Sequence, residues 1–157
     1  MFEKFKEKLT AKNLEIAEAH CDAPCGVYDP AQARVEAESV VQLTKKLLDL
    51  KHPEEGADEK AHLNYHNTRT RFIQIKETRA DLAKHHLLVL WTDYFKPQHL
   101  EKYPDLHEIF WKAAKECSYV KQEVSPEHCE ALMGYIQRIH EIFWETKGRD
   151  VPWYTAS

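Results

Sequence analysis

Prolines at positions 30, 53, 97, 104 and 126 cut the chain into segments within which apolar residues recur in steps of three and four. That pattern leaves little choice but helices joined by short connections. Asp29-Pro30-Ala31-Gln32 reads as a helix start: Asp29 caps, Pro30 suits the first turn, and Gln32 is placed to reach back as in a capping box. The first helix is expected to run to about Lys51, where His52-Pro53-Glu54-Glu55-Gly56 breaks it. A second, long helix is expected over roughly Glu59 to Tyr94, irregular around Asn64 to Thr68 and stopped by Lys96-Pro97. A third lies between Pro104 and Tyr119, and Ser125-Pro126-Glu127 opens a fourth that runs to about Lys147. Connections this short favour antiparallel neighbours, so the expected fold is all-α, an up-down four-helix bundle over residues 29–147 followed by a tail, 148–157.

Composition agrees. Only four glycines beside 31% charged residues suit helices better than sheet, and 157 residues make one domain with a real core. A net charge of −4 gives no case for nucleic acid as a partner, and no segment approaches the ~20 apolar residues of a membrane span. Four cysteines in a chain this long are not a disulfide scaffold, and unbridged thiols point to the cytoplasm.

The stripes carry more than the helix ends. Val40, Leu43 and Leu47 lie on one face of the first helix, with Glu36 one turn earlier. On the second, Phe72, Ile75, Leu82 and Val89 form a stripe in which Arg79 and His86 occupy two positions. A glutamate and an arginine on inward stripes are costly unless paired; they read either as a structural salt bridge or as support for a site. Cys117 and Cys129 continue apolar stripes of the third and fourth helices and read as buried core thiols.

The remaining cysteines are crowded into His20-Cys21-Asp22-Ala23-Pro24-Cys25, outside the helices. A disulfide between Cys21 and Cys25 or a zinc site is one reading, but neither explains a histidine directly before the first cysteine. The preceding residues, 1–19, end in Ala17-Glu18-Ala19 and contain no apolar export core, so they read as a removable leader that is not an export signal. Cleavage before His20 would give that residue a free α-amine. The amine, the Cys21 amide nitrogen and the Cys21 thiolate then close two five-membered chelate rings. Cys25 completes an N2S2 plane once Pro24 and Gly26 bend the loop back, and the His20 imidazole is left to approach from above. Planar coordination suits nickel(II) or copper(II) better than zinc.

The stretch His20 to Tyr28, HCDAPCGVY, resembles the nickel hook of the nickel-containing superoxide dismutases, H-C-x-x-P-C-G-x-Y. The resemblance continues through YDPAQARVEAESV, IKETRADLAKHH, LWTDYFKPQHLEKYPDLH and IFWETK, most of residues 20–147 in order. It implies a precursor whose leader a dedicated peptidase removes, homohexamers of four-helix bundles, and dismutation of superoxide by nickel cycling between Ni(II) and Ni(III). By position it implies one nickel ion per subunit, held by His20 (amine and imidazole), Cys21 (amide nitrogen and sulfur) and Cys25 (sulfur). Glu36 would orient the imidazole with Arg79 beside it, Tyr28 and Tyr94 would stand near the open face of the metal, and Asp22, Pro24 and Gly26 would shape the hook. The segment from His52 to Thr68 is longer than the family pattern, and GRDVPWYTAS extends beyond its end.

Overall fold

The computed structural model describes residues 25–157. His20, Cys21, Asp22, Pro24 and the leader lie outside the described residues. Asp29 accepts a hydrogen bond from the Ala31 amide at 2.8 Å, and the first helix, α1, runs Ala31–Leu48. Gln32 is exposed and no capping box forms. After Gly56, whose φ of 86° lies in the left-handed region, Asp58 caps the second helix by accepting from the Ala61 amide at 2.7 Å. This helix, α2, runs unbroken Glu59–Val89, with no irregularity at 64–68. Its end is not α-helical: Leu90–Tyr94 forms a π-helical turn closed by Phe95 N–H donating to the Leu90 carbonyl. The short α3, Pro97–Lys102, is a fifth helix beyond the four expected. α4, Leu106–Gln122, and α5, Pro126–Thr146, complete the set; Ser125 caps α5 through the His128 amide.

α1 packs against α2 and α5, and α4 packs against α2 and α5, so the four long helices stand at the corners of a bundle. The core is continuous, from Ala33, Ala37 and Val40 on α1 through Leu87 and Leu90 to Phe110, Leu132, Ile136 and Phe143. Among the described residues there is no strand.

The core-facing residues of α2 are Lys76, Ala80, Ala83 and Leu87, continued by Leu90 in the π turn; of the stripe expected from the larger apolar residues only Val89 is buried. Ile75 and Leu82 are 39% and 36% exposed. Both stripes follow steps of three and four, so spacing does not separate them. Approach does: Ala80 and Ala83 have no exposed surface, nor do Ala33 and Ala37 on α1, and small residues let two helices pack closely. The bulkier stripe is pushed to the rim. On α1, Val40 and Leu43 are buried as expected, while Leu47 is half-buried.

Lys76 occupies a core position by ending on the last turn of α4, where its ammonium donates to the carbonyls of Val120, Lys121 (3.3 Å) and Glu123 (2.9 Å). Those carbonyls lack intrahelical partners and lie at the negative end of the helix dipole. Burial lowers the pKa of Lys76. Cys117 and Cys129 are buried core thiols, as expected; burial pushes Cys117 up to about 12 and raises Cys129 as well.

Gly148, at φ 65°, ends α5, and the tail then crosses α1 and α5. His140 bonds the Val151 carbonyl at 2.8 Å, Ala156 N–H donates to Glu38 at 2.6 Å, and the Arg34 guanidinium lies 4.3 Å from the Tyr154 ring centre. The tail thereby covers the buried Arg34–Glu38 ion pair.

Candidate metal centre

The described chain begins at the last of the candidate metal ligands. Cys25 is exposed and unbridged, and Gly26 follows at φ 68°. No atom stands within 4 Å of the position a Gly26 Cβ would take, so it is backbone conformation, not space, that calls for glycine there. The bend turns the Val27 amide back toward the Cys25 sulfur, 3.4 Å away.

Three residues on, Tyr28 meets Tyr94 with ring centroids 5.6 Å apart. The two come from opposite sides: Tyr28 from the lead-in to α1, Tyr94 from the π turn that ends α2. A π turn shifts the register of the side chains that follow it relative to a continued α-helix. Tyr94 is packed against Phe143 at 4.4 Å and stacked on His99 at 5.8 Å. Its hydroxyl is 2.6 Å from Thr146 Oγ1, which itself donates to the Phe143 carbonyl. With the threonine hydrogen committed to that carbonyl, Tyr94 O–H is the donor to Thr146. Its oxygen keeps lone pairs for a donor on the solvent side. Lys147 holds its ammonium 4.9 Å from the centre of the same ring.

Glu36 and Arg79 do pair. Arg79 Nη1 lies 3.1 Å and 3.0 Å from the two oxygens of Glu36. The glutamate side chain is 14% exposed and the arginine 42%, so the pair sits at the rim between α1 and α2 and not in the core. Fifteen residues separate Arg79 from Tyr94, about 22 Å along a helix axis, so the ion pair and the tyrosines are two features rather than one cluster. An ion pair this exposed contributes about 0–1 kcal/mol to stability.

Thr146, Lys147 and His99, which surround Tyr94, were not anticipated as site residues. The first two belong to the IFWETK stretch and the third to LWTDYFKPQHLEKYPDLH, so the family pattern contained them. Nothing in helical spacing could single them out, because they reach Tyr94 only through the π turn and α3.

Comparison with known proteins is decisive at this point. Residues 15–147 match the sequence model of the family described as nickel-containing superoxide dismutase. The chain belongs to that family. It is 46% identical over 140 residues to superoxide dismutase [Ni] of Streptomyces seoulensis, covering 89% of this chain and 96% of that protein. With superoxide dismutase [Ni] of Streptomyces coelicolor the identity is 48% over the same length and coverage. Among solved structures, native nickel superoxide dismutase superposes with a TM-score of 0.70 at 47% identity, covering 83% of this chain and all of the other. The C-terminal tail, 148–157, lies beyond the family match.

Proposed function

We propose that this chain is a nickel superoxide dismutase whose competent form begins at His20. The observation that carries the reading is the Cys25-Gly26-Val27 bend. It presents an exposed thiol, with an amide aimed at its sulfur, just before the Tyr28–Tyr94 pair in a chain of this family.

The donor set suits nickel. Thiolate, amide and amine donors suit such an ion, and His20, Cys21 and Cys25 are the residues that would hold it. When bound, nickel supplies a Ni(II)/Ni(III) couple, through which two superoxide ions and two protons become dioxygen and hydrogen peroxide. The chain's own groups do the rest. The cost of breaking Glu36–Arg79 is small for the fold, so its value lies in orientation: far from the tyrosines of its own subunit, Glu36 would accept the free ring N–H of a His20 imidazole that assembly brings from a neighbouring copy, with Arg79 fixing the carboxylate's direction. Because the Tyr94 hydrogen points to Thr146, Tyr94 serves as an acceptor that positions water, and the protons for peroxide come from that water rather than from the phenol. Tyr28 forms the facing wall, and Lys147 gives the approach a positive charge for an anionic substrate.

A leader-processing peptidase, a homohexameric assembly and a cytoplasmic location complete the proposal. Assembly is supported by exposed apolar side chains around the ion pair: Val35 (47% exposed), Ile75 and Leu82. No described helix is long and apolar enough to cross a membrane. The test is superoxide disproportionation by nickel-loaded protein starting at His20, beside the full-length chain loaded identically. Turnover in the trimmed protein alone is expected. Equal turnover in both would overturn the requirement for a free amine, and nickel binding without turnover in either would make the chain a carrier.

A further inference from the structure

The connection between α1 and α2 carries metal-binding side chains that the hook leaves unused. His52 stands in the loop after α1, and the Gly56 turn and the Asp58 cap bring the first turns of α2 back beside it. The His52 and His62 rings lie 5.7 Å apart, centre to centre, and the edge of Tyr65 packs on His52 at 4.8 Å. His66 is one helical turn beyond His62 on the same face, and its ring meets Tyr65 at 5.2 Å.

His52 is already set for a metal. Its Nδ1 is 2.9 Å from the Pro53 carbonyl oxygen. A carbonyl only accepts, so Nδ1 carries the hydrogen and Nε2 presents its lone pair, the arrangement by which a backbone carbonyl commonly fixes the tautomer of a ligating histidine. Two imidazole nitrogens sharing one cation at 2.0–2.1 Å place their ring centres roughly 5 Å apart at a tetrahedral angle, close to the 5.7 Å between His52 and His62. Among the described residues no three His, Cys, Asp or Glu side chains already surround a common point. The built part is therefore the His52–His62 pair, and His66, exposed on the helix surface, supplies a third nitrogen by changing rotamer.

We propose that His52 and His62, joined by His66, form a second metal site, one that takes a borderline divalent cation such as nickel(II), copper(II) or zinc(II) reversibly at the surface. All-imidazole donors suit these ions. Lacking thiolate or amide ligands, the site would leave nickel divalent, partly hydrated and free to exchange, unlike the hook.

The test needs no dismutase activity, so it stands or falls apart from the functional reading. The full chain carrying Cys21→Ser and Cys25→Ser is titrated with nickel(II) chloride by calorimetry and absorption. One bound equivalent is expected, without thiolate-to-nickel charge-transfer bands. Affinity should fall by about 10–100-fold in His52→Ala or His62→Ala and by less in His66→Ala. In the NMR spectrum, nickel should broaden the ring protons of His52, His62 and His66 before those of His107 and His140. This second readout requires no variant at the histidines. Absence of saturable binding, binding that survives both His52→Ala and His62→Ala, or broadening that begins elsewhere would overturn the proposal.

Discussion

The hydrogen of Tyr94 points at Thr146, and the Lys147 ammonium lies over its ring; on the proposed function these define what Tyr94 would offer an incoming anion. The phenol offers a lone pair and the ammonium offers attraction. Replacing the charge is therefore expected to slow encounter rather than chemistry. Lys147→Glu should lower kcat/KM by about tenfold at low ionic strength and flatten its salt dependence, while kcat changes little. Steady-state rates across a salt series check this; an unchanged salt slope would place the steering charge elsewhere. A second residue-scale prediction concerns Cys117, buried with its thiol pushed from 9.0 up to about 12. In the unfolded chain the thiol loses its proton near pH 9, whereas in the folded chain it keeps it. The unfolded state thus binds fewer protons above pH 9, and stability falls as pH rises from about 9 toward 12. The slope approaches about 1.4 kcal/mol per pH unit from this group alone. Urea denaturation from pH 8 to 10.5 should show that loss, and Cys117→Ala should flatten it while lowering stability at every pH.

Helix by helix, the sequence was legible where backbone chemistry is local and illegible where the partner decides. Asp29-Pro30 and Ser125-Pro126 mark their helix starts because a cap and a proline act within one turn. The π turn at Leu90–Tyr94 and the short α3 have no such local signature, and they are what bring Tyr94, His99, Thr146 and Lys147 together. The inward face of α2 failed for a different reason. Ile75 and Leu82 outrank Ala80 and Ala83 in hydrophobicity, but the close α1–α2 contact selects for size. Substitutions separate the two stripes. Ala80→Leu should cost about 1–3 kcal/mol by overpacking a position with no free surface. Leu82→Ala in the isolated subunit should cost well under the 2–5 kcal/mol typical of a core leucine. Denaturant midpoints of the two variants give the answer directly, and a larger loss at Leu82 would restore the stripe first read from the sequence.

On the scale of the whole molecule, a well-packed bundle leaves Val35, Ile75 and Leu82 exposed around a half-solvated Arg79, while the tail covers the Arg34–Glu38 pair and ends with Ala156 and Ser157 in the same hollow as Val35, Ile75 and Arg79. Apolar side chains gathered beside a charged pair are the makings of a subunit interface, the one the proposed hexamer would use. A subunit that folds by its own core should survive the loss of that face. Leu82→Asp is therefore expected to leave helicity intact and the isolated subunit's stability within about 0.5 kcal/mol, as for surface substitutions generally. Assembly, by contrast, should shift toward smaller species, because each interface would bury an unpaired carboxylate. Sedimentation velocity of the variant beside the parent chain reads the outcome. A hexamer that persists unchanged would mean that this face stays open to solvent and that copies meet elsewhere.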